Sequence, residues 1–168
     1  MRLYDCRTMA SPIEEGVSWA SSKAVRKSMQ GNKSRDTKPE MVVRRYLHSE
    51  GLRYRVHVRP IKDWNRRADI VFPKAKIAVF VNGCFWHGCP KHFVAPKSNV
   101  DYWIPKIKQN VGRDQETRTR LKANGWRVFV IWEHEDLVKR ASTISGRIRH
   151  QMDKPPGPTP KSPRRRAQ

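Results

Sequence analysis

A chain of 168 residues with 36 Lys and Arg against 15 Asp and Glu carries a net charge of +21 and a pI near 10.7. That length suits one domain with tails and a real core, and that charge suits a polyanion, most commonly nucleic acid. The absence of any apolar run of about 18 residues excludes a helical membrane span, and three cysteines are too few for a disulfide framework.

The N-terminus lacks the basic-then-apolar pattern of a secretory signal, so a reducing compartment, the cytoplasm, is expected. Six tryptophans and 9% aromatic residues exclude disorder of the whole chain. A basic surface kept for solubility is the plain alternative to nucleic-acid binding. The spread of charge through helical stretches as well as the tail favours nucleic acid.

Residues 1–20 show no periodicity and read as a disordered N-terminus. A domain over 21–152 follows, its first part (21–36) a basic arm in which Arg26, Lys33 and Arg35 are the phosphate contacts. Thr37-Lys38-Pro39-Glu40 is a capping box with proline in the first turn. It predicts a helix to about Glu50 with Val42, Val43, Tyr46 and Leu47 on one face and Gly51 as its stop.

Leu52, Tyr54, Val56 and Val58 alternate with polar residues, the period of a half-buried strand that Pro60 ends. A second strand covers Ala68 to Phe72. A third covers Ile77 to Val81, apolar throughout and therefore central. Asp69 in an apolar strand needs a partner or a metal, because a bare buried carboxylate is costly.

Then comes the densest stretch, Asn82-Gly83-Cys84-Phe85-Trp86-His87-Gly88-Cys89-Pro90-Lys91-His92. Cys84, Cys89 and His92 are three ligands for a tetrahedral zinc, and His134, after the fourth strand, is the natural fourth. His87 is left free for chemistry. The competing reading makes the cysteines buried thiols and the histidines incidental.

Phe85 and Trp86 cannot both enter a core. With Trp103 they suit a wedge between base pairs, with a core role for at least one ring as the alternative. Ser98 or Asn99 caps a helix that Gly112 breaks or kinks before it resumes to Asn124. Trp126 to Trp132 is a fourth strand. A last helix runs from Glu135 to about Met152 with Leu137, Ile144 and Ile148 inward. Residues 153–168, with five prolines and Arg164-Arg165-Arg166, are a disordered basic tail. Strands one to three pair as an antiparallel meander and the fourth returns parallel across a helix, giving an α/β/α layering.

Four segments resemble the very short patch repair endonucleases: Lys33-Ser34-Arg35-Asp36-Thr37-Lys38-Pro39-Glu40, Arg67-Ala68-Asp69-Ile70-Val71-Phe72, Asn82-Gly83-Cys84-Phe85-Trp86-His87 and Asn124-Gly125-Trp126-Arg127-Val128. The resemblance covers roughly Ser22 to Asp136. It implies a restriction-endonuclease-like fold with a central mixed four-stranded sheet, a structural zinc site and a catalytic magnesium. The implied activity is nicking of one DNA strand at T:G mismatches left by 5-methylcytosine deamination, by a monomer associated with the bacterial nucleoid. Mismatch-repair proteins are a further class of partner.

Carried over, Asp69 and the Val81 carbonyl match the magnesium ligands, His87 the histidine that activates water, and Glu40 its support. Asn110 and Asp114 match polar positions near the DNA and the active site. Phe85, Trp86 and Trp103 match the intercalating rings, and Cys84, Cys89, His92 and His134 the zinc site. Asn82 stands where the best-known member has a second active-site histidine; it hydrogen-bonds but does not titrate. A catalytically weakened or inactive mismatch-binding protein of the same fold is therefore the alternative. A third reading is a restriction enzyme that cuts matched duplex.

Overall fold

The computed structural model describes residues 35–153. The expectations for residues 1–20, most of the basic arm with Arg26 and Lys33, and the tail beyond residue 153 lie outside them. In chain order the elements are α1 (Lys38–Ser49), β1 (Arg55–Val58), β2 (Ala68–Phe72), β3 (Ile77–Asn82), α2 (Val100–Ala123), β4 (Arg127–Trp132) and α3 (Leu137–Met152). The sheet order is β1-β2-β3-β4, antiparallel in the first two pairs and parallel between β3 and β4. This is the expected meander with a helical crossover.

Apolar alternation along the strands sends side chains to both faces of the sheet. Ile70, Phe72, Ile77, Val79 and Val81 join Val43 and Leu47 of α1 and Ile144 and Ile148 of α3 in one buried cluster. Val71 and Ala78 join Leu121 of α2 in another, with Trp64, Phe80 and Trp126 packed against it. β3 is buried along nearly its whole length, as its unbroken apolar run predicts.

Element boundaries shift from the sequence expectation for identifiable reasons. Leu52 donates its N–H to the Leu47 carbonyl and Gly51 to that of His48, closing α1 in a Schellman motif that takes Leu52 out of the strand. Trp126 and Gly125 close α2 on Leu121 and Lys122 in the same way, so β4 begins at Arg127. The last helix, α3, starts at Leu137 rather than Glu135, because Asp136 caps it by accepting from the Lys139 N–H at 2.9 Å. Asn99 holds the N-cap position of α2 in the left-handed region and makes no side-chain cap.

Two further expectations are corrected. Val42 of α1 is exposed rather than inward. Gly112 does not break α2, which runs as one helix of 24 residues. Ile107, Asn110, Thr117 and Leu121 are buried along that helix, and their packing outweighs the roughly 1 kcal/mol that one glycine costs a helix.

The parallel register sets up everything that follows. Asn82 lies opposite Trp132, so the chain leaves β3 and β4 side by side. Because β2 runs antiparallel to β3, with Ile70 opposite Val79, its entry at Ala68 and Asp69 lies at the same end.

Candidate active site and metal centre

Where β3 and β4 end, the loop residues Cys84, Cys89 and His92 meet His134. Each offers one ligand atom, and the four atoms lie within 4.8 Å of one another. His134 Nδ1 is 3.1 Å from Cys84 Sγ and 3.7 Å from Cys89 Sγ, while His92 Nδ1 is 3.9 Å from Cys89 Sγ. Zinc bond lengths of about 2.3 Å to sulfur and 2.0 Å to nitrogen place tetrahedral ligands about 3.5 Å apart. Two sulfurs and two imidazoles at these separations fit such an ion.

Cys89 is buried and the two histidines are exposed, so the cluster opens to solvent on its imidazole side. With protein atoms alone around it, burial and then the Cys89 thiol push the Cys84 thiol up to about 11. A cation bound there would supply the charge that holds both sulfurs as thiolates. His87 takes no part in the cluster, as expected.

The loop is fixed by more than its ligands. Cys89 N–H donates to the Cys84 carbonyl at 2.9 Å, and Cys84 N–H to Glu133 Oε1 at 2.6 Å. Gly88, at φ +57°, lies so close to α2 that a Cβ would stand 2.9 Å from Val111 Cγ2 and 3.3 Å from Ile107 Cγ2. Gly88→Ala should therefore cost about 1–3 kcal/mol through overpacking and a left-handed backbone. Thermal denaturation checks this, and adding Val111→Ala should restore part of the loss.

Beside this loop stands the acidic group. Asp69 Oδ2 accepts from the Val81 N–H at 2.8 Å, which ties β2 to the last turn of chain before Asn82. Burial pushes the Asp69 carboxyl up to about 6; the Val81 N–H and His87 oppose the shift, and Glu40 and Asp114 reinforce it. Those neighbours put α1, the loop and α2 within electrostatic reach of one carboxylate.

His87 Nδ1 lies 2.6 Å from Asp114 Oδ2. An imidazole held by a carboxylate at Nδ1 presents Nε2 as its proton acceptor. Glu40 is buried with both oxygens engaged: Thr37 Oγ1 donates to one and the Asp36 N–H to the other, each at 3.0 Å. The capping box thus closes one residue earlier than its usual form, on Asp36 rather than Thr37. Asn82 is buried, and its carbonyl accepts from the Glu133 N–H at 3.0 Å.

The three expected rings form one group. Phe85 lies 5.2 Å from Trp86 and 5.4 Å from Trp103, and the two tryptophans lie 5.6 Å apart, all edge to face. Trp86 is exposed while Phe85 and Trp103 are half-buried, so Trp86 is the outer edge of the group and the other two rings support it. Asn110, itself buried, donates from Nδ2 to the Trp86 carbonyl at 3.0 Å. Arg35 is exposed and pairs with Asp36 at 3.7 Å.

Residues 20–92 match the family model described as DNA mismatch endonuclease Vsr. The type II nicking enzyme V.XorIIP of Xanthomonas oryzae pv. oryzae is 44% identical over 126 residues, covering 74% of this chain and 89% of that protein. This chain belongs to the Vsr family. V.NaeI of Lentzea aerocolonigenes, also a type II nicking enzyme, is 36% identical over 159 residues, 89% of this chain and 86% of its own length. DNA mismatch endonuclease Vsr of Escherichia coli K12 is 35% identical over 108 residues, 64% of this chain and 67% of its own.

As a Vsr-family DNA endonuclease the chain has two positions whose structural importance sequence reading missed. Glu133, the residue after β4, anchors the loop by accepting from the Cys84 N–H. Its signal was its position directly before the ligand His134. Gly88 is the other, a glycine between His87 and Cys89 that marks a close backbone approach. Among the described residues of this Vsr-family chain no helix is long and apolar enough to cross a membrane.

Proposed function

We propose that the chain nicks one strand of double-stranded DNA at T:G mismatches arising from 5-methylcytosine deamination, by magnesium-dependent phosphodiester hydrolysis. The observation that carries this is the His87–Asp114 pair beside half-buried Asp69, at the sheet end where the loop with the Cys/His cluster presents three rings. The cluster of Cys84, Cys89, His92 and His134 is read as structural zinc. A monomer suffices, since one nick needs one site. The restriction-endonuclease-like three-layer fold is part of the same reading and agrees with apolar clusters on both sheet faces.

Hydrolysis needs a water stripped of its proton, a phosphorus made electrophilic and charge relief on the leaving oxygen. His87 Nε2 takes the proton of the attacking water while Asp114 stabilises the imidazolium that forms. A P–O bond forms to the water oxygen, the bond to the leaving sugar oxygen breaks, and solvent protonates that oxygen. Asp69 and the Val81 carbonyl would hold magnesium, which supplies positive charge to the scissile phosphate when bound. Asp69 suits this role because its burial among other carboxylates leaves its charged form short of a cation. Glu40, with both oxygens held by α1's own cap, acts through its charge and its hold on that helix end.

Phe85, Trp86 and Trp103 open a base step, which a mismatched pair resists least. Trp86→Ala should lower discrimination between T:G and matched duplex by about tenfold or more, from a stacking contribution of about 1–3 kcal/mol. Competition binding with the two duplexes checks it. The salt slope should stay near wild type, because phosphate contacts are untouched.

Asn82 favours one second reading, a mismatch-binding protein with weakened or no cleavage. It brings no titratable group where the family's best-known member has a histidine, and it is buried. Tight binding of a T:G duplex without a nick at any magnesium concentration would select that reading. Equal cutting of matched and mismatched duplex would select a restriction enzyme instead.

A further inference from the structure

We propose that Arg113 is a phosphate-binding residue that couples wedge insertion to cleavage, by holding a DNA backbone phosphate next to the His87–Asp114 pair. This rests on the reading that the chain acts on mismatched duplex. Arg113 is exposed on α2, and its Nη2 donates to Asn110 Oδ1. Asn110 is buried, and its amide nitrogen donates at 3.0 Å to the carbonyl of Trp86, the exposed ring of the wedge. Arg113, Asn110 and the Trp86 backbone thus form one continuous hydrogen-bonded strut.

The next residue along the helix is Asp114, which fixes His87. One turn of α2 therefore supplies both the catalytic histidine's partner and a cation tied to the wedge. Charge favours the same conclusion. Glu40, Asp69 and Asp114 gather negative charge around the reacting centre, with His87 the titratable base among them. A phosphodiester gains further negative charge in its transition state, so cations fixed at the rim lower the barrier.

Among the described residues Arg113 makes no ion pair. Five arginines elsewhere, Arg35, Arg44, Arg66, Arg140 and Arg149, do pair with carboxylates. A planar guanidinium has five donors in a fixed fork. With one spent on Asn110, the remaining edge can meet two phosphate oxygens side by side. Lysine offers the charge without the fork, so the two side chains should differ at this position.

The test is a scan of T:G duplexes carrying a single neutral methylphosphonate at each position around the mismatch. Affinity and single-turnover nicking are measured for the full-length wild type, Arg113→Ala, Arg113→Lys and Asn110→Ala. Wild type should lose about tenfold in affinity at one phosphate, the size of a charge-assisted contact. Arg113→Ala should nick about 10²-fold more slowly and lose its sensitivity at that position alone, with its melting temperature unchanged. Arg113→Lys should regain the sensitivity and part of the rate.

Full sensitivity of Arg113→Ala at every position would overturn the proposal. So would an Asn110→Ala variant that keeps wild-type sensitivity at that phosphate and nicks at the wild-type rate, since the strut would then couple nothing. A wild type that binds the mismatch but nicks nothing defeats the cleavage reading separately. The affinity arm then still decides whether Arg113 holds a phosphate.

Discussion

Asp69→Asn should abolish nicking by about 10³-fold or more and at the same time raise the melting temperature of the magnesium-free protein. The first effect follows from removing the charged ligand at the proposed magnesium site. The second follows from burial. An asparagine oxygen can still accept from the Val81 N–H, as Asp69 Oδ2 does at 2.8 Å, while no charge has to be stripped of water.

The sign with pH is definite. The Asp69 pKa is raised from an ordinary 3.8 to about 6 in the folded chain, so its contribution to stability is fully present below about 4 and is lost as pH rises to about 6. The melting advantage of Asp69→Asn should be several degrees at pH 7, on the order of 1–3 kcal/mol, and should vanish below about pH 4. Magnesium should stabilise wild type alone. Nicking should fall below about pH 6, and more magnesium should move that limb to lower pH, because ion and proton compete for one carboxylate. A stabilised Asp69→Asn that still nicks would remove Asp69 from the reaction.

Loss of the Cys/His cluster should be the other large effect. Cys89→Ser, or prolonged chelation, should release one zinc per chain and destabilise the domain by several kcal/mol. An ion held by these four residues would join the exits of β3 and β4, and its binding energy would be folding energy. Cys89 is 2% exposed, so its replacement also leaves a buried polar group. His92→Ala, at the exposed side, should cost less. Elemental analysis and melting curves read these outcomes together. A metal-free protein with unchanged melting and an unchanged preference for T:G duplex would show that the loop needs no ion.

The sheet was legible because its strands differ in pattern: alternation in the first, an unbroken apolar run in the third, and a helical length between third and fourth that forces a parallel return. The meeting of the cysteines and histidines was legible because such residue types are rare enough that Cys84, Cys89 and His92 stand out within nine positions. What stayed hidden depended on register and distance. That Glu133 reaches the Cys84 N–H follows only once Asn82 is known to lie opposite Trp132. That Gly88 touches Val111 follows only from the docking of the loop on α2. Leu52 and Trp126 looked like strand residues because side-chain pattern is silent about which N–H groups a helix end consumes. Glu40 was read both as a cap and as an active-site support. The structure shows the cap and places its charge near Asp69, so one residue serves the helix end and the site's electrostatics together.

The most direct test is strand-resolved cleavage of paired duplexes differing only in one T:G or C:G pair, with and without magnesium, followed by mapping of the cut. The expected result is a single nick at a fixed position beside the mismatched thymine, in the T:G duplex alone and only with the divalent ion. Stoichiometric binding of the T:G duplex with both strands left intact, or equal cutting of the matched duplex, would contradict it.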